Sequence, residues 1–391
     1  MLYILIILLV GINAAPFLLP WVDIWQAQQL WCHLIVGLGF AWSFFENPKL
    51  VKLPNKPLSF LFSWVTIFTL FICFISLRKG IYNVRNFYPY FNFICVLLLY
   101  KYCIGYLNKK HIVQILNILR WTIMITLFMC VLQVLGLSQF FRLLDSPYNS
   151  NFAEWHNNIC VGFLGNGTHL SGFLASSVPL FLWHNKREDW LALLLMFIVF
   201  FFTSTTLNDP SISGFVIFFA LFVYFFKDNR LVFRSLIALV LAGILFSILF
   251  APKLFFSPHG RLDIWRVYWQ IFKQMPITGQ GLGSISKIYK YTIYPEARHL
   301  HMEFFHFTFE LGIIGAVAII ALIKDFLSIK VCSKTELCLK TMVIGFLLSS
   351  CFNYPAHLWL PSTWVIFAYA SLLCLKNKEK ITWEESVRER K

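Results

Sequence analysis

Charged residues are scarce in this chain, and their scarcity excludes a broad class of proteins. Aspartate, glutamate, lysine and arginine together make up 13% of the 391 residues, whereas hydrophobic residues make up 59% and phenylalanine occurs 43 times. A soluble domain carries about 25% charged residues. The composition therefore excludes a water-soluble globule and predicts an integral membrane protein.

Acidic residues are especially few. The chain has 18 of them against 33 lysines and arginines, which gives a formal net charge of +15. Such a charge is typical of nucleic-acid-binding proteins, but those concentrate their cations in a soluble basic domain, and this sequence has none. Its cations lie between apolar runs, where they orient helices and contact anionic head groups. We therefore expect membrane lipids, and not nucleic acid, as partners.

Two further patterns are missing. The ten cysteines include no CxxC pair and lie mostly alone within apolar runs, so neither a disulfide framework nor a zinc module is indicated. The N-terminus has no basic segment ahead of its apolar run, and this run, residues 2–22, is long enough to cross a bilayer. We expect it to be the first transmembrane helix rather than a cleaved signal.

Apolar runs of about spanning length recur along the chain and predict an all-α, polytopic membrane protein with about twelve transmembrane helices. They lie near residues 2–22, 29–45, 59–77, 88–107, 112–137, 169–184, 190–204, 211–226, 235–251, 304–323, 341–354 and 359–375. The predicted organisation is therefore helices 1–9 (residues 1–251), one large hydrophilic loop (252–303), helices 10–12 (304–375) and a basic tail (376–391).

The cations predict how the helices are oriented, because short cytoplasmic loops are enriched in lysine and arginine. They cluster in alternate connections, namely Lys49, Lys52 and Lys56; Lys109 and Lys110; Lys186 and Arg187; Lys227, Arg230 and Arg234; Lys324, Lys330, Lys334 and Lys340; and residues 376–391. The exceptions are Arg78, Lys79, Arg85 and Arg142. Both termini are expected in the cytoplasm, and the large loop on the opposite side.

The large loop is too rich in aromatic residues for a solvated linker. Within it, residues 261–275 predict an amphipathic helix that ends before Pro276. Trp265, Trp269 and Phe272 lie on one stripe of this helix, and its cations lie on another. We expect the helix to lie along the outer membrane surface.

Groups that can transfer protons lie where this loop meets the tenth apolar run. His301 and Glu303 are the candidates, because ionisable groups at a membrane boundary are often functional; the alternative is a polar cluster that caps the helix. His299, His301 and His306 suggest a metal site, but their spacings do not share one helical face and no cysteine accompanies them. We therefore expect no metal.

Three arginines of the loop are candidates for binding an anion. They are Arg261, Arg266 and Arg298. Their guanidinium groups suit the oxygens of a diphosphate. Contact with lipid head groups explains the same three residues equally well. The glycine-rich stretch 278–283 resembles a phosphate loop only in composition. It lacks the Walker lysine and follows no predicted strand, so a flexible turn is favoured.

With these residues in view, the chain resembles the O-antigen ligase and polymerase family of bacterial inner-membrane proteins. The resemblance covers most of the chain in layout and is specific in three segments. These are Gly260-Arg261 with Ile264-Trp265 and Pro276-x-x-Gly279-x-Gly281-Leu282-Gly283; His301 followed by Glu310-x-Gly312-x-x-Gly315; and, more weakly, Gly162-Phe163-Leu164-Gly165-Asn166 with His169-Leu170 and Gly172-Phe173.

The resemblance implies a GT-C-like fold in the bacterial inner membrane and a glycosyltransferase that uses no cofactor. Such an enzyme moves a glycan from undecaprenyl diphosphate to an acceptor hydroxyl at the periplasmic face. His301 is then expected to be the general base, oriented by Glu303. Arg261 is expected to bind the leaving diphosphate, with Arg266 or Arg298 as a second cation.

Several functions stay open at this point. The acceptor is expected to be lipid A-core, as in a ligase, but a second lipid-linked repeat or a protein hydroxyl would make the chain a polymerase or an O-oligosaccharyltransferase. A flippase for lipid-linked oligosaccharides is the non-enzymatic alternative, since transporters usually place charges within spans. Lys101 and Arg120 are the clearest cations within apolar runs, whereas the other polar groups gather on one outer face, which favours chemistry there. The sequence departs from the family in lacking an arginine near Thr206 and in having Met302 after the histidine.

Overall fold

In the part of the chain that it describes, the computed structural model contains helices and no strands, which confirms the all-α prediction. The described residues are 2–18, 24–46, 88–135, 137, 160, 162–164, 166–203, 209–226, 234, 261–281, 283–285, 300, 302–352 and 355–388. The helices are α1 Leu2–Leu18, α2 Ile24–Glu46, α3 Tyr88–Tyr106, α4 Lys109–Val134, α5 Gly167–His184, α6 Arg187–Phe201, α7 Asp209–Phe225, α8 Arg261–Phe272, α9 Glu303–Ser328, α10 Lys334–Phe352 and α11 Trp359–Arg388. Short 3-10 turns at Gly162–Leu164 and Pro355–His357 precede α5 and α11.

Each predicted apolar run coincides with one of these helices, except the runs near 59–77 and 235–251, which lie outside the described residues. Within the described ranges, three helices are both long and apolar enough to cross a membrane: α4, α9 and residues 359–376 of α11. The total of about twelve crossings therefore stays a prediction. The predicted amphipathic helix is present as α8 and ends at Phe272, because the chain tightens into a turn before it reaches Pro276.

Helix α5 lies at the centre of the described bundle, with α7 and α10 as its main neighbours. Small residues allow the helices to approach closely. A methyl group added at Gly172 would overlap the Ser349 hydroxyl, and one added at Gly345 would lie 2.8 Å from Ser176 Cα. The side chain of Asn166 caps the first turn of α5 by accepting hydrogen bonds from the next backbone N–H groups.

Several connections predicted to be cytoplasmic meet at one end of the bundle. Trp183 Nε1 donates to Thr335 Oγ1 at 3.2 Å, which ties the end of α5 to the start of α10. Lys376 Nζ lies 2.8 Å from the carboxylate of Glu336, which ties α11 to the same place. This cation-rich end agrees with the pattern on which the orientation was predicted, and the compartment that it faces stays a prediction.

Arg120, within α4, is paired inside the bundle. Its guanidinium binds the carboxylate of Asp189 in the first turn of α6, and both side chains are buried. The second carboxylate oxygen lies 2.7 Å from His184 Nδ1 and accepts a hydrogen bond from Lys186 N–H at 2.7 Å. The cluster joins the middle of α4 to the connection between α5 and α6, so this buried cation has a structural role.

Candidate functional site

Helix α9 carries one end of the predicted site and is broken at Gly312. The φ of 68° and ψ of −170° at this residue are not helical. A break removes the hydrogen bonds that cross it, and backbone groups within a membrane need other partners. Among the groups freed here are the carbonyls of Phe309 and Glu310 and the N–H groups of Ile313 and Ile314.

The glycine loop, residues 276–283, supplies the missing partners. Four backbone hydrogen bonds join it to α9, from donor to acceptor: Gln280 to Phe309 (3.1 Å), Gly281 to Glu310 (2.9 Å), Ile313 to Pro276 (2.9 Å) and Ile314 to Ile277 (3.5 Å). These four groups are satisfied in this way. The break in α9 and the loop therefore stabilise each other.

Two glycines permit this contact. Gly279 and Gly312 both have a positive φ, of 69° and 68°, and their backbones touch. A methyl group added at Gly279 would overlap the carbonyl oxygen of Glu310, and one added at Gly312 would overlap that of Ile277. The two glycine motifs that carry the family resemblance are thus the two halves of one joint, which we call the loop–kink joint.

The loop–kink joint uses the N–H groups on which a phosphate-binding loop depends. Those of Gln280 and Gly281 donate to carbonyls of α9, and that of Gly283 donates to the carboxylate of Glu310 at 2.8 Å. The structure therefore favours a turn over a phosphate loop, and the turn is held in place by hydrogen bonds.

A buried histidine and carboxylate lie beside the joint. His306 Nε2 is 3.3 Å from Glu310 Oε1, and the two side chains are 2% and 1% exposed. The same Glu310 oxygen accepts the hydrogen bond from Gly283 N–H. Because residues four apart share one face of a helix, their spacing was a signal in the sequence. His306 was considered from the sequence only as a metal ligand, so this pair was missed.

Glu303, the first residue of α9, is also buried. Its Oε2 accepts a hydrogen bond from Ala356 N–H at 3.0 Å, in the turn between α10 and α11. Pro355 and Leu358 of the same region line a small cavity together with His169, from the first turn of α5. The start of α9, the start of α5 and this turn are therefore neighbours at the end of the bundle opposite the cation-rich one.

Helix α8 packs against the first turns of α9. Trp265 Nε1 donates to Leu300 O at 2.7 Å, and the rings of Tyr268 and Phe309 meet edge to face at 5.1 Å. Next to these contacts lies an aromatic groove of about 430 Å³, which we define by Trp265, Arg266, Trp269, Phe305 and Thr308. A groove of this size suits part of a small molecule or a lipid.

The structure places two of the five predicted site residues with their side chains. Arg266 is exposed and lines the aromatic groove, whereas Glu303 is buried against the turn at Ala356. Arg261 is the first residue of α8, and its side chain is outside the description. Arg298 and His301 lie outside the described residues, although His301 directly precedes Met302, the residue before α9.

The described residues also bear on metal binding. Among them, no group of three or more histidine, cysteine, aspartate and glutamate side chains comes together. His299 and His301, which were considered with His306, are outside the description. The prediction of a metal-independent site is therefore unchanged.

Comparison with known proteins adds no family. No family model matches the chain, and no curated protein matches it significantly. The relation to the O-antigen ligase and polymerase family therefore rests on the three sequence segments and stays a resemblance.

Proposed function

We propose that the chain is an O-antigen ligase-like glycosyltransferase of the bacterial inner membrane. It would move a glycan from undecaprenyl diphosphate to a hydroxyl of lipid A-core at the periplasmic face, with both termini in the cytoplasm. The proposal rests on the resemblance of three sequence segments and is supported by where the structure brings two of them together.

The loop–kink joint is the observation that carries the proposal. The Pro276-x-x-Gly279-x-Gly281 segment and the Glu310-x-Gly312 segment resemble the family separately, and in the fold they share four backbone hydrogen bonds. In each motif the glycine lies where the backbone of the other motif comes too close for a side chain. Their residues therefore form one structural unit, as motifs of a common site are expected to do.

Two of the candidate residues, Arg266 and Glu303, lie beside this unit, and that arrangement supports the proposal. Helix α8 begins with Arg261 and presents Arg266 at the aromatic groove, and α9 begins with Glu303, two residues after His301. Cations on one element and a proton acceptor on the other are the two groups that the reaction needs.

The proposed step forms one bond and breaks one. The acceptor hydroxyl oxygen attacks the anomeric carbon, His301 takes the hydroxyl proton, and the bond between that carbon and the diphosphate oxygen breaks. The electron pair leaves on the diphosphate, where Arg261, with Arg266 or Arg298, stabilises its charge. Because the donor is already activated by its diphosphate, the step uses no nucleotide and no cofactor.

A polymerase and a protein O-oligosaccharyltransferase would use the same donor and differ only in the acceptor. A flippase is the alternative without chemistry, and one of the two cations that suggested it, Arg120, is bound to Asp189. Such a pair stabilises the bundle and offers no charge to a passing substrate, so it favours transfer over transport.

The test is an acceptor assay with purified full-length protein in sealed proteoliposomes. The protein is incubated with an undecaprenyl-diphosphate-linked glycan and, in parallel, with lipid A-core, with a second portion of lipid-linked glycan, and with an acceptor peptide. We expect product on lipid A-core alone. Product on another acceptor would replace the ligase by the polymerase or the protein transferase, and movement of the donor across the bilayer without any product would favour the flippase.

A further inference from the structure

A side chain also takes part in the loop–kink joint, in addition to the four backbone hydrogen bonds. Among the described residues, Gly281 makes the backbone bond to α9 that lies furthest along the glycine loop. Two residues later, Gly283 N–H donates to Glu310 Oε1 at 2.8 Å, so the carboxylate binds the end of the loop.

The residues after Gly283 connect this bond to α8. Ile285 is fully buried and packs in one apolar cluster with Ile264, Tyr268 and Phe272 of α8 and with Phe309 of α9. The loop is tied to α8 on its other side as well, because Gln280 Nε2 donates to Ile271 O at 3.1 Å. The position of α8 against α9 thus depends on where the glycine loop is held.

The carboxylate is itself held by its own helix. His306 Nε2 lies 3.3 Å from the oxygen that accepts from Gly283, one helical turn toward Glu303. His306 and Glu310 are both buried, so neither side chain can touch a substrate in this conformation. Any effect of the pair on a reaction must act through the segments that it holds.

From these contacts we propose that Glu310 is a positioning residue: its carboxylate, shared between Gly283 and His306, fixes the glycine loop and thereby the placement of α8 and its arginines against the first turns of α9. The proposal rests on the proposed function, since it gives Glu310 a part in presenting Arg261 and Arg266 to a diphosphate. The physical claim about placement can be tested without any activity.

Placement is measured as the distance between α8 and α9 in the full-length protein. Spin labels are attached through a keto-bearing unnatural amino acid at Gln270 and Val317, two exposed positions, so that the native cysteines stay in place. We expect a narrow distance distribution for the parent protein and a broad one for Glu310→Ala. Glu310→Gln keeps an oxygen that accepts from Gly283 N–H, so its distribution is expected to be narrow again.

A matched control exists at the other end of the bundle. Glu336 is also 1% exposed, and it accepts a hydrogen bond from a backbone N–H, that of Cys332, at 2.8 Å. Glu336→Ala removes a buried carboxylate that accepts from a backbone N–H, together with its ion pair to Lys376, and is expected to leave the distance between α8 and α9 narrow. Should Glu310→Ala not accumulate, Glu310→Asp, whose carboxylate is one methylene shorter, replaces it with the same expected broadening.

Transfer kinetics then separate positioning from a general loss of folded protein. Glu310→Ala is expected to raise the KM for the lipid-linked donor on the order of tenfold, the scale of one hydrogen bond, and to lower kcat, because the arginines would bind the diphosphate both before and during its departure. Glu310→Gln is expected to restore most of it, and Glu336→Ala to leave KM unchanged.

The possible results are distinct. A narrow distribution with parental KM in Glu310→Ala would overturn the proposal, and so would equal broadening in Glu336→Ala. If the parent protein transfers glycan to no acceptor, the proposed function fails, while the distance measurements still decide whether Glu310 sets the placement of α8.

Discussion

Asp189 near the cation-rich end and Glu310 near the opposite end are both 1% exposed, yet they bind different kinds of group. Asp189 binds the guanidinium of Arg120, lies beside His184 and so joins α4 to the connection between α5 and α6. Glu310 accepts from the backbone of a loop and lies beside a histidine of its own helix. The cluster of Arg120, Asp189 and His184 balances a buried charge between helices of the bundle. The pair of His306 and Glu310 holds a peripheral segment in place.

The difference indicates where stability and function lie in this chain. A buried ion pair that loses one partner leaves an uncompensated charge in an apolar interior. The cluster of Arg120, Asp189 and His184 is therefore expected to govern folding. The pair of His306 and Glu310 fixes the segments that carry the candidate site residues, so it is expected to govern transfer. Substitutions at four positions test this division, in decreasing order of effect.

The sharpest contrast is expected for His301→Ala. Loss of the proposed general base should lower transfer by about 100-fold to 10,000-fold, whereas the midpoint of thermal unfolding should stay that of the parent. Both are measured on the same purified protein. A variant with parental transfer would remove His301 as the base.

Substitution of Arg120 should have the opposite effect and lower stability rather than transfer. Arg120→Ala leaves Asp189 buried without its cation, and we expect the free energy of unfolding to fall by about 3–5 kcal/mol. The measurement is thermal unfolding in detergent together with the amount of protein in the membrane.

The control for Arg120→Ala is the double variant Arg120→Leu with Asp189→Leu. It removes both charges and should recover much of the lost stability. Folded Arg120→Ala protein should transfer glycan with the parental KM. A stable single variant with altered KM would contradict the division of roles.

Gly312→Ala tests the loop–kink joint. The added methyl group meets the Ile277 carbonyl, and an alanine at this position must adopt a positive φ. We therefore expect the free energy of unfolding to fall by about 1–3 kcal/mol. We also expect a broader distribution of distances between α8 and α9. The matched control is Gly37→Ala, because a methyl group added at Gly37 in α2 meets no atom within 4 Å. Equal stability of the two variants would show that the joint does not need a glycine.

Glu303→Gln is expected to have the smallest effect on folding. The amide oxygen can still accept from Ala356 N–H, so the free energy of unfolding should change by less than about 1 kcal/mol. Transfer should fall about tenfold, because a neutral amide orients a protonated His301 less strongly than a carboxylate does. Parental transfer would leave Glu303 with the structural bond alone.

Local sequence patterns predicted the helices well. Runs of apolar residues located the long helices, and the aromatic stripe ahead of Pro276 located α8, because each pattern reflects the period of a single element. The spacing of His306 and Glu310 was equally available. It was missed because the three histidines were considered together as possible metal ligands.

Contacts between distant segments were not predictable in the same way. Gly279 and Gly312 each suggested a turn or a close approach, but nothing in either motif says that the other is its partner. Arg120 was recognised as an unusual cation, and its partner Asp189 lies 69 residues further along the chain. A single sequence does not show which distant residues pair, because the pairing depends on how the helices pack.

The central claim is that α8 and the start of α9 face the periplasm while the cation-rich end faces the cytoplasm. It is tested by treating cells with a permeabilised outer membrane with a membrane-impermeant maleimide and locating the label by mass spectrometry. Trp269 and Cys332 are both exposed, so Trp269→Cys offers an exposed thiol near each end; the exposed Cys351 is told apart from position 269 because mass spectrometry locates each label. We predict label at position 269 and none at Cys332 until the inner membrane is opened. Label at Cys332 with position 269 protected would contradict the account.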